Sequence, residues 1–219
     1  RGFFGARDGG TYLDIGANIG LTAIPVAASG IDVIAFEPVP QNHAYLLQNI
    51  AANGVARRIR VENVALMDRA GEIVMELSPA NHGDHRVRRG GGVSLMREDN
   101  WATTVVAARP LDDWADRVTA PLALKIDTQG AEPFVIAGGP RICALAELAI
   151  VEFSPYSMNR MQSDPAVILD YLRPFAQIAI YEAENARPLT TQTGSAAVAF
   201  LNDYDSKFRI VPKGRYLNL

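Results

Sequence analysis

Asp14-Ile15-Gly16-Ala17-Asn18-Ile19-Gly20 is the stretch on which the fold turns. An apolar, β-prone run from Tyr12 to Ile15 leads into the glycines, and Leu21 to Ala28 leads out with helical composition. Pro25 is compatible with that helix if it kinks it or sits in its first turn, where the missing N–H has no intrahelical partner. Strand, glycine turn and helix in this order are what a nucleoside-binding α/β unit requires. A second run, Asp32 to Phe36, ends in Glu37. That acid lies about 20 residues beyond Gly16, the spacing at which a carboxylate accepts hydrogen bonds from ribose hydroxyls.

Two departures from the dinucleotide pattern narrow the ligand. Asn18 stands where a second glycine would let a pyrophosphate approach the backbone. Asp14, just before the turn, would repel phosphate but suits a ligand bearing sulfonium and ammonium charges. S-adenosylmethionine fits both features, and NAD fits neither.

Outward from the turn, short apolar runs alternate with amphipathic ones, which predicts a doubly wound, mostly parallel sheet with helices on both faces. Pro40 to Asn53 has helical spacing at Ala44, Leu47 and Ala51, and Asn53-Gly54 supplies its stop. Ile59 to Leu66 reads as a third strand, and Gly71-Glu72 as the turn into Ile73 to Leu77, an antiparallel interruption. Ser78 to Gly92 reads as a long polar loop unlikely to pack as a regular element, placed to fold over the active site. Thr103 to Ala107 is β-prone, a short helix starts near Leu111, and Leu122 to Ile126 and Leu148 to Phe153 read as buried parallel strands. After a helix from Pro165 to Leu172, Ile178 to Tyr181 and Ala196 to Leu201 are expected to close the sheet as an antiparallel hairpin.

Composition sets the class. The 219 residues are 48% hydrophobic and 21% charged, enough for one substantial core, so residues 1–219 read as a single domain. A net charge of -3 offers no long-range attraction to nucleic acid or an anionic membrane. No apolar run approaches membrane-spanning length, and Arg1-Gly2-Phe3-Phe4 lacks the build of a signal peptide. The lone cysteine, Cys143, excludes an intramolecular disulfide and fits a reducing compartment, so the expectation is a cytoplasmic protein. The chain does not begin with Met, and an N-terminal segment is expected to be missing.

The sequence resembles the FkbM family of class I methyltransferases. The resemblance rests on Asp14 to Gly20, Phe36-Glu37-Pro38, Asn63-Val64-Ala65-Leu66 with Asp68 and Gly71, Arg109-Pro110-Leu111-Asp112, and Leu124 to Glu132. It implies a seven-stranded sheet closing in an antiparallel hairpin, S-adenosylmethionine as methyl donor, and O-methylation of a hydroxyl on a sugar or secondary metabolite. It further implies that Asp14, Gly16 and Asn18 line the methionine end of the donor, that Glu37 holds its ribose, that Asn63, Val64 and Ala65 flank its adenine, and that Gly20 and Pro38 also belong to the donor site. Where the family commonly reads Asp-Val-Glu-Gly, this chain has Asp127-Thr128-Gln129-Gly130, and no role is carried onto Gln129.

An alcohol acceptor benefits from a base as its oxygen loses a proton. Asp127 and Glu152 fall at the carboxyl ends of strands, where open α/β sheets bind ligands. His82 and His85 lie in the long loop, His85 preferred because Asp84 and Arg86 flank it. These four are the candidate catalytic residues. His43 reads as a cofactor-side or surface residue, Arg86, Arg88 and Arg89 as a solvated basic loop ahead of an anion grip, and Lys125 as the partner of a nearby carboxylate. No oxygen-ligand spacing suggests a metal. The expected partner is a small-molecule hydroxyl acceptor, with N-methylation, a non-catalytic nucleoside-binding module and a nicotinamide oxidoreductase as rivals.

Overall fold

The computed structural model describes residues 3–5, 9–89, 94–182, 187–209 and 216–219. Strands β1 (Thr11–Ile15), β2 (Asp32–Phe36) and β3 (Ile59–Glu62) run parallel, as do β1, β8 (Leu122–Ile126) and β9 (Ala146–Phe153). The apolar side chains of β8 are fully buried because helices cover both faces of the sheet. Leu46 and Ile50 of α2 (Pro40–Ala52) pack on one face with α1 (Ala23–Ala28), whose third residue is Pro25. The other face packs against α3 (Glu132–Ala137), α4 (Pro140–Leu145), α6 (Ala166–Leu172) and α7 (Gly194–Phe208).

The doubly wound sheet is present, and its antiparallel ending has a different composition from the expected one. Ala196–Leu201 is no strand: it lies within α7, where Ala197, Val198, Leu201 and Tyr204 recur at helical spacing and bury one stripe. The strand that inserts antiparallel between β9 and β10 (Ile178–Glu182) is instead β12 (Leu217–Asn218). The three-residue β11 (Thr190–Gln192) adds an edge strand, and among the described residues the sheet order is β11-β10-β12-β9-β8-β1-β2-β3. Residues 183–186, in the connection read as a hairpin turn, lie outside the described residues.

The third predicted strand is also divided. Beyond Glu62 the Asn63 side chain donates to the carbonyls of Glu37 and Pro38, at 2.8 and 3.0 Å, and the chain leaves the main sheet. Ala65–Leu66 (β4) then joins a second sheet, order β4-β7-β5-β6. There β5 (Gly71–Leu77) pairs antiparallel with β7 (Ala102–Arg109), not with the preceding strand. The polar loop also contains a short strand, β6 (Arg86–Val87), on the other edge of β5. Its residues 90–92 lie outside the described residues.

Buried charges pin this second sheet to the rest of the molecule. Glu76 of β5, fully buried, accepts bonds of 2.7 and 2.8 Å from Arg160 of α5 (Pro155–Met161) and one of 2.9 Å from Arg88. Glu98, also fully buried, accepts from Tyr156 Oη at 2.6 Å and lies 3.4 Å from Arg86, which is also paired with Asp84. The basic loop is therefore not a solvated patch: Arg86 is buried, Arg88 is paired, and Arg89 stacks over Phe134. Arg160→Ala would leave Glu76 short of its main counter-charge and is expected to cost about 3–5 kcal/mol, read from denaturant melts, because a buried carboxylate losing its partner retains its desolvation penalty. A cost below about 1 kcal/mol would show that Arg88 alone suffices.

Candidate functional site

Three strand ends meet at the carboxyl edge of the main sheet. The N–H groups of Gly16 and Ala17 donate to the Phe36 carbonyl and that of Asp127 to the Ile15 carbonyl, which fixes the three strand ends together. Gly16 has φ +80°, and a Cβ there would sit 1.9 Å from the Asp127 carbonyl oxygen, so no other residue fits this crossing.

At the centre lies Lys125, held between two carboxylates. Its Nζ is 3.3 Å from Asp14 Oδ1 and 3.5 Å from Asp127 Oδ2, and it donates to the Gly16 carbonyl at 3.1 Å. Burial opposes its charge, but Asp14 and Asp127 outweigh burial and hold its pKa above the ordinary lysine value. Asp14 is completely buried and also accepts from the Thr22 hydroxyl. Two carboxylates around one ammonium leave a residual negative charge, which suits a cationic ligand.

A cleft of about 230 Å³ opens over this edge. Gly16, Asn18, Glu37, Pro38, Val64 and Ala65 line it, as do Asp127 and both loop histidines. Asp14, Gly20 and Asn63 do not: Asp14 supports the floor through Lys125, Gly20 makes room between Ile24 and Leu46, and Asn63 ties the wall together. Glu37 accepts from the N–H groups of Asn18 and Val39, each at 2.9 Å. Burial, partly offset by those two bonds, pushes its pKa up to about 7.

The loop covers the cleft through Asn42, whose amide donates to the His82 carbonyl at 2.9 Å. His85 Nδ1 accepts the Ser78 N–H at 3.0 Å. Its lone pair is thus engaged and Nε2 carries the proton, while burial and the neighbouring His82 lower its pKa. In this arrangement His85 is a hydrogen-bond donor without a free basic nitrogen. His43 lines neither this cleft nor the chamber beside it.

That chamber, of about 750 Å³, shares Gly83, Asp127 and Gln129 with the cleft. Glu152, Tyr156, Trp101 and Arg86 are among its other walls. Glu152 is buried at 5% exposure, and burial, together with Asp127 and Glu132, raises its pKa well above the ordinary carboxylate value. Gln129, which the sequence reading passed over, donates to Asp127 at 3.1 Å and to both Glu152 oxygens at 3.2 Å. Its place two residues beyond Asp127, at a strand's carboxyl end, is the signal that could have found it. Among the described residues no cluster of His, Cys, Asp and Glu could hold a metal ion, and no helix is long and apolar enough to cross a membrane.

A family profile described as "Methyltransferase FkbM domain" matches residues 14–181. The chain belongs to this family. S-adenosylmethionine is its methyl donor. The chain is similar to the 2-O-methyltransferase NoeI of Sinorhizobium fredii, 30% identical over 182 residues that cover 76% of this chain and 72% of that one. Among solved structures, methyltransferase FkbM from Methylobacillus flagellatus is 19% identical, with a TM-score of 0.46 over 74% of this chain, which spans 38% of that protein's length. An rRNA methylase from Streptococcus thermophilus is 14% identical, with a TM-score of 0.44 and coverage of 83% and 82%. The cleft of this FkbM-family chain fits the donor on its own evidence: Asn18 Oδ1 is buried with no hydrogen-bond partner among the described residues, ready to accept from an ammonium group.

Glu152 links the site to stability. With its pKa raised in the native state, the folded chain binds a proton that the unfolded chain has released, so stability falls as pH rises above the ordinary carboxylate value. Glu152→Gln removes that ionisation. The variant is expected to melt higher than the parent at pH 8, by about 2–4 °C for each kcal/mol recovered, and within a degree or so of it at pH 5. Equal melting curves at both pH values would show that Glu152 titrates ordinarily.

Proposed function

We propose that this chain transfers a methyl group from S-adenosylmethionine to a hydroxyl of a small neutral acceptor, a sugar or a secondary metabolite, with Asp127 as general base and residues 1–219 acting as one catalytic domain. The observation that carries this reading is the position of Asp127 in the wall shared by the donor cleft and the second chamber. When bound, S-adenosylmethionine supplies an electrophilic methyl group, whose bond to sulfur breaks as the acceptor oxygen bonds to carbon. Asp127 takes the proton that this oxygen releases, and Lys125 stands 3.5 Å from it. Glu152, whose pKa is raised by burial and by Asp127 and Glu132, forms a wall of the chamber.

On the donor side, Asn18 accepts from the ammonium group, Glu37 accepts from the ribose hydroxyls, and Val64 and Ala65 form the apolar wall against adenine. Asp14 supplies the negative floor through Lys125, and His82 and His85 cover the cleft. The chamber's acids and its already paired Arg86 favour a neutral acceptor over an anionic one. The likeness to a 2-O-methyltransferase supports oxygen as the methylated atom.

Asp127→Asn is expected to lower the transfer rate about 10²–10⁴-fold, the range for loss of a positioned base. Donor affinity by calorimetry should change little. Screening a panel of neutral glycosides and amines by mass spectrometry tests the acceptor class, and methyl gain by amines alone would overturn O-methylation. Glu37 supplies a second check: protonation below about pH 7 removes an acceptor for the ribose. Donor affinity should therefore strengthen from pH 6 to pH 8 in the parent relative to Glu37→Gln. Parallel pH curves for the two proteins would remove Glu37 from the ribose.

A further inference from the structure

Gln129 has φ +56°, the left-handed region that a residue with a side chain adopts only at a cost. A glycine would adopt this conformation more readily, so the strain alone suggests that the side chain is retained for what it touches. Its Nε2 lies 3.1 Å from Asp127 Oδ1 and 3.2 Å from both oxygens of Glu152, bridging residues that follow β8 and belong to β9.

We propose that Gln129 is a positioning residue of the methyl-transfer site: its single amide nitrogen ties Asp127 to Glu152 and holds the two carboxyl groups in the arrangement the base needs. The proposal rests on Asp127 being that base. Charged and titratable groups reach the pair from every side. Lys125 of β8 touches Asp127, with Asp14 of β1 behind it, and Glu132 of α3 bears on Glu152. Asp84 and Arg86 of the loop, Tyr156 of α5 and Tyr216 beside β12 line the same chamber.

In this setting a neutral donor does what a carboxylate could not. An amide N–H stabilises the charged form of the carboxylate it meets. Lys125 bears on both carboxyl groups and lies 3.5 Å from Asp127, but at Glu152 burial, Asp127 and Glu132 outweigh it and raise the pKa. A carboxylate at position 129 would place three acids in one buried cluster and spread the protons among them. The amide adds no third acid.

The test is a carboxyl titration of the whole chain saturated with S-adenosylmethionine. Side-chain carboxyl carbons of Asp and Glu are labelled with ¹³C, and Asp127→Asn and Glu152→Gln assign the two signals. Gln129→Gly removes the amide and relieves the backbone, so it is expected to melt no lower than the parent. In it, the Asp127 and Glu152 midpoints should both rise, by about one pH unit. In Gln129→Glu they should rise further, with a third coupled titration. The acidic limb of the transfer rate, followed with a methyl glycoside that accepts methyl, should move by the same amount as the Asp127 midpoint. Unmoved midpoints in both variants would overturn the proposal. Midpoints that shift beneath a stationary pH-rate limb would instead sink Asp127 as the base and leave the tie between the two carboxyl groups standing. Because Gln129→Gly suits the left-handed backbone, the test survives if Gln129→Glu fails to fold.

Discussion

The ammonium of Lys125, buried between Asp14 and Asp127, is the interaction on which the rest of the site depends. A lysine in the middle of a parallel sheet, on a strand otherwise buried and apolar, is tolerated only because two carboxylates and a carbonyl oxygen replace its water. The ion pairs span the first and fourth parallel strands of the chain, so they hold the glycine turn against the loop that carries Asp127. They add to the backbone hydrogen bonds at the Gly16 crossing, where the backbones meet too closely for any Cβ. Two negative groups around one positive group also leave the cleft floor with residual negative charge.

The same economy of charge runs outward. Asp127 faces both cavities, Gln129 joins it to Glu152, and Glu152 lies on β9 opposite Asn218 of β12. Beyond the chamber, Glu98 and Glu76 hold Arg86, Arg88 and Arg160, so the second sheet is anchored through ion pairs as well as through its own apolar cluster around Met75, Val87 and Val106. Such pairs are weak sources of net stability but strongly penalise misplacement, because a carboxylate displaced from its arginine inside the protein has no water to turn to. A chamber bounded by these groups keeps its shape before any acceptor enters.

How much of this was legible in the sequence follows from the range of the forces involved. The glycine turn, Glu37 and the buried strands are local patterns, with periodicity and spacing written within a few tens of residues, and they place the cleft at the carboxyl edge of the sheet. The strand read at Ala196 to Leu201 failed because six apolar residues satisfy either a strand or a helix. Only Tyr204 and Phe208, one and two turns further on, reveal the helical period. The partner of β5 was missed for another reason: Ile73 to Leu77 has the same alternation whichever strand it joins, and the choice of β7 depends on Asn63 turning the chain away from the main sheet.

The side chains at the carboxyl edge of the sheet were the least legible part, because their chemistry is set by contacts between distant residues. Nothing in the local sequence of His85 announces that Ser78 occupies its lone pair, and that single hydrogen bond separates a candidate base from a donor. Gln129 illustrates the opposite error. As a departure from the family's usual acid it was given no role, whereas in three dimensions it stands between two acids, where a third carboxylate would meet repulsion and an amide finds two acceptors. The substitution is intelligible only together with Glu152, more than twenty residues away along the chain and on the neighbouring strand. A neutral residue in an acidic motif is therefore weighed properly by the charge of its spatial neighbours, and here those neighbours favour the amide.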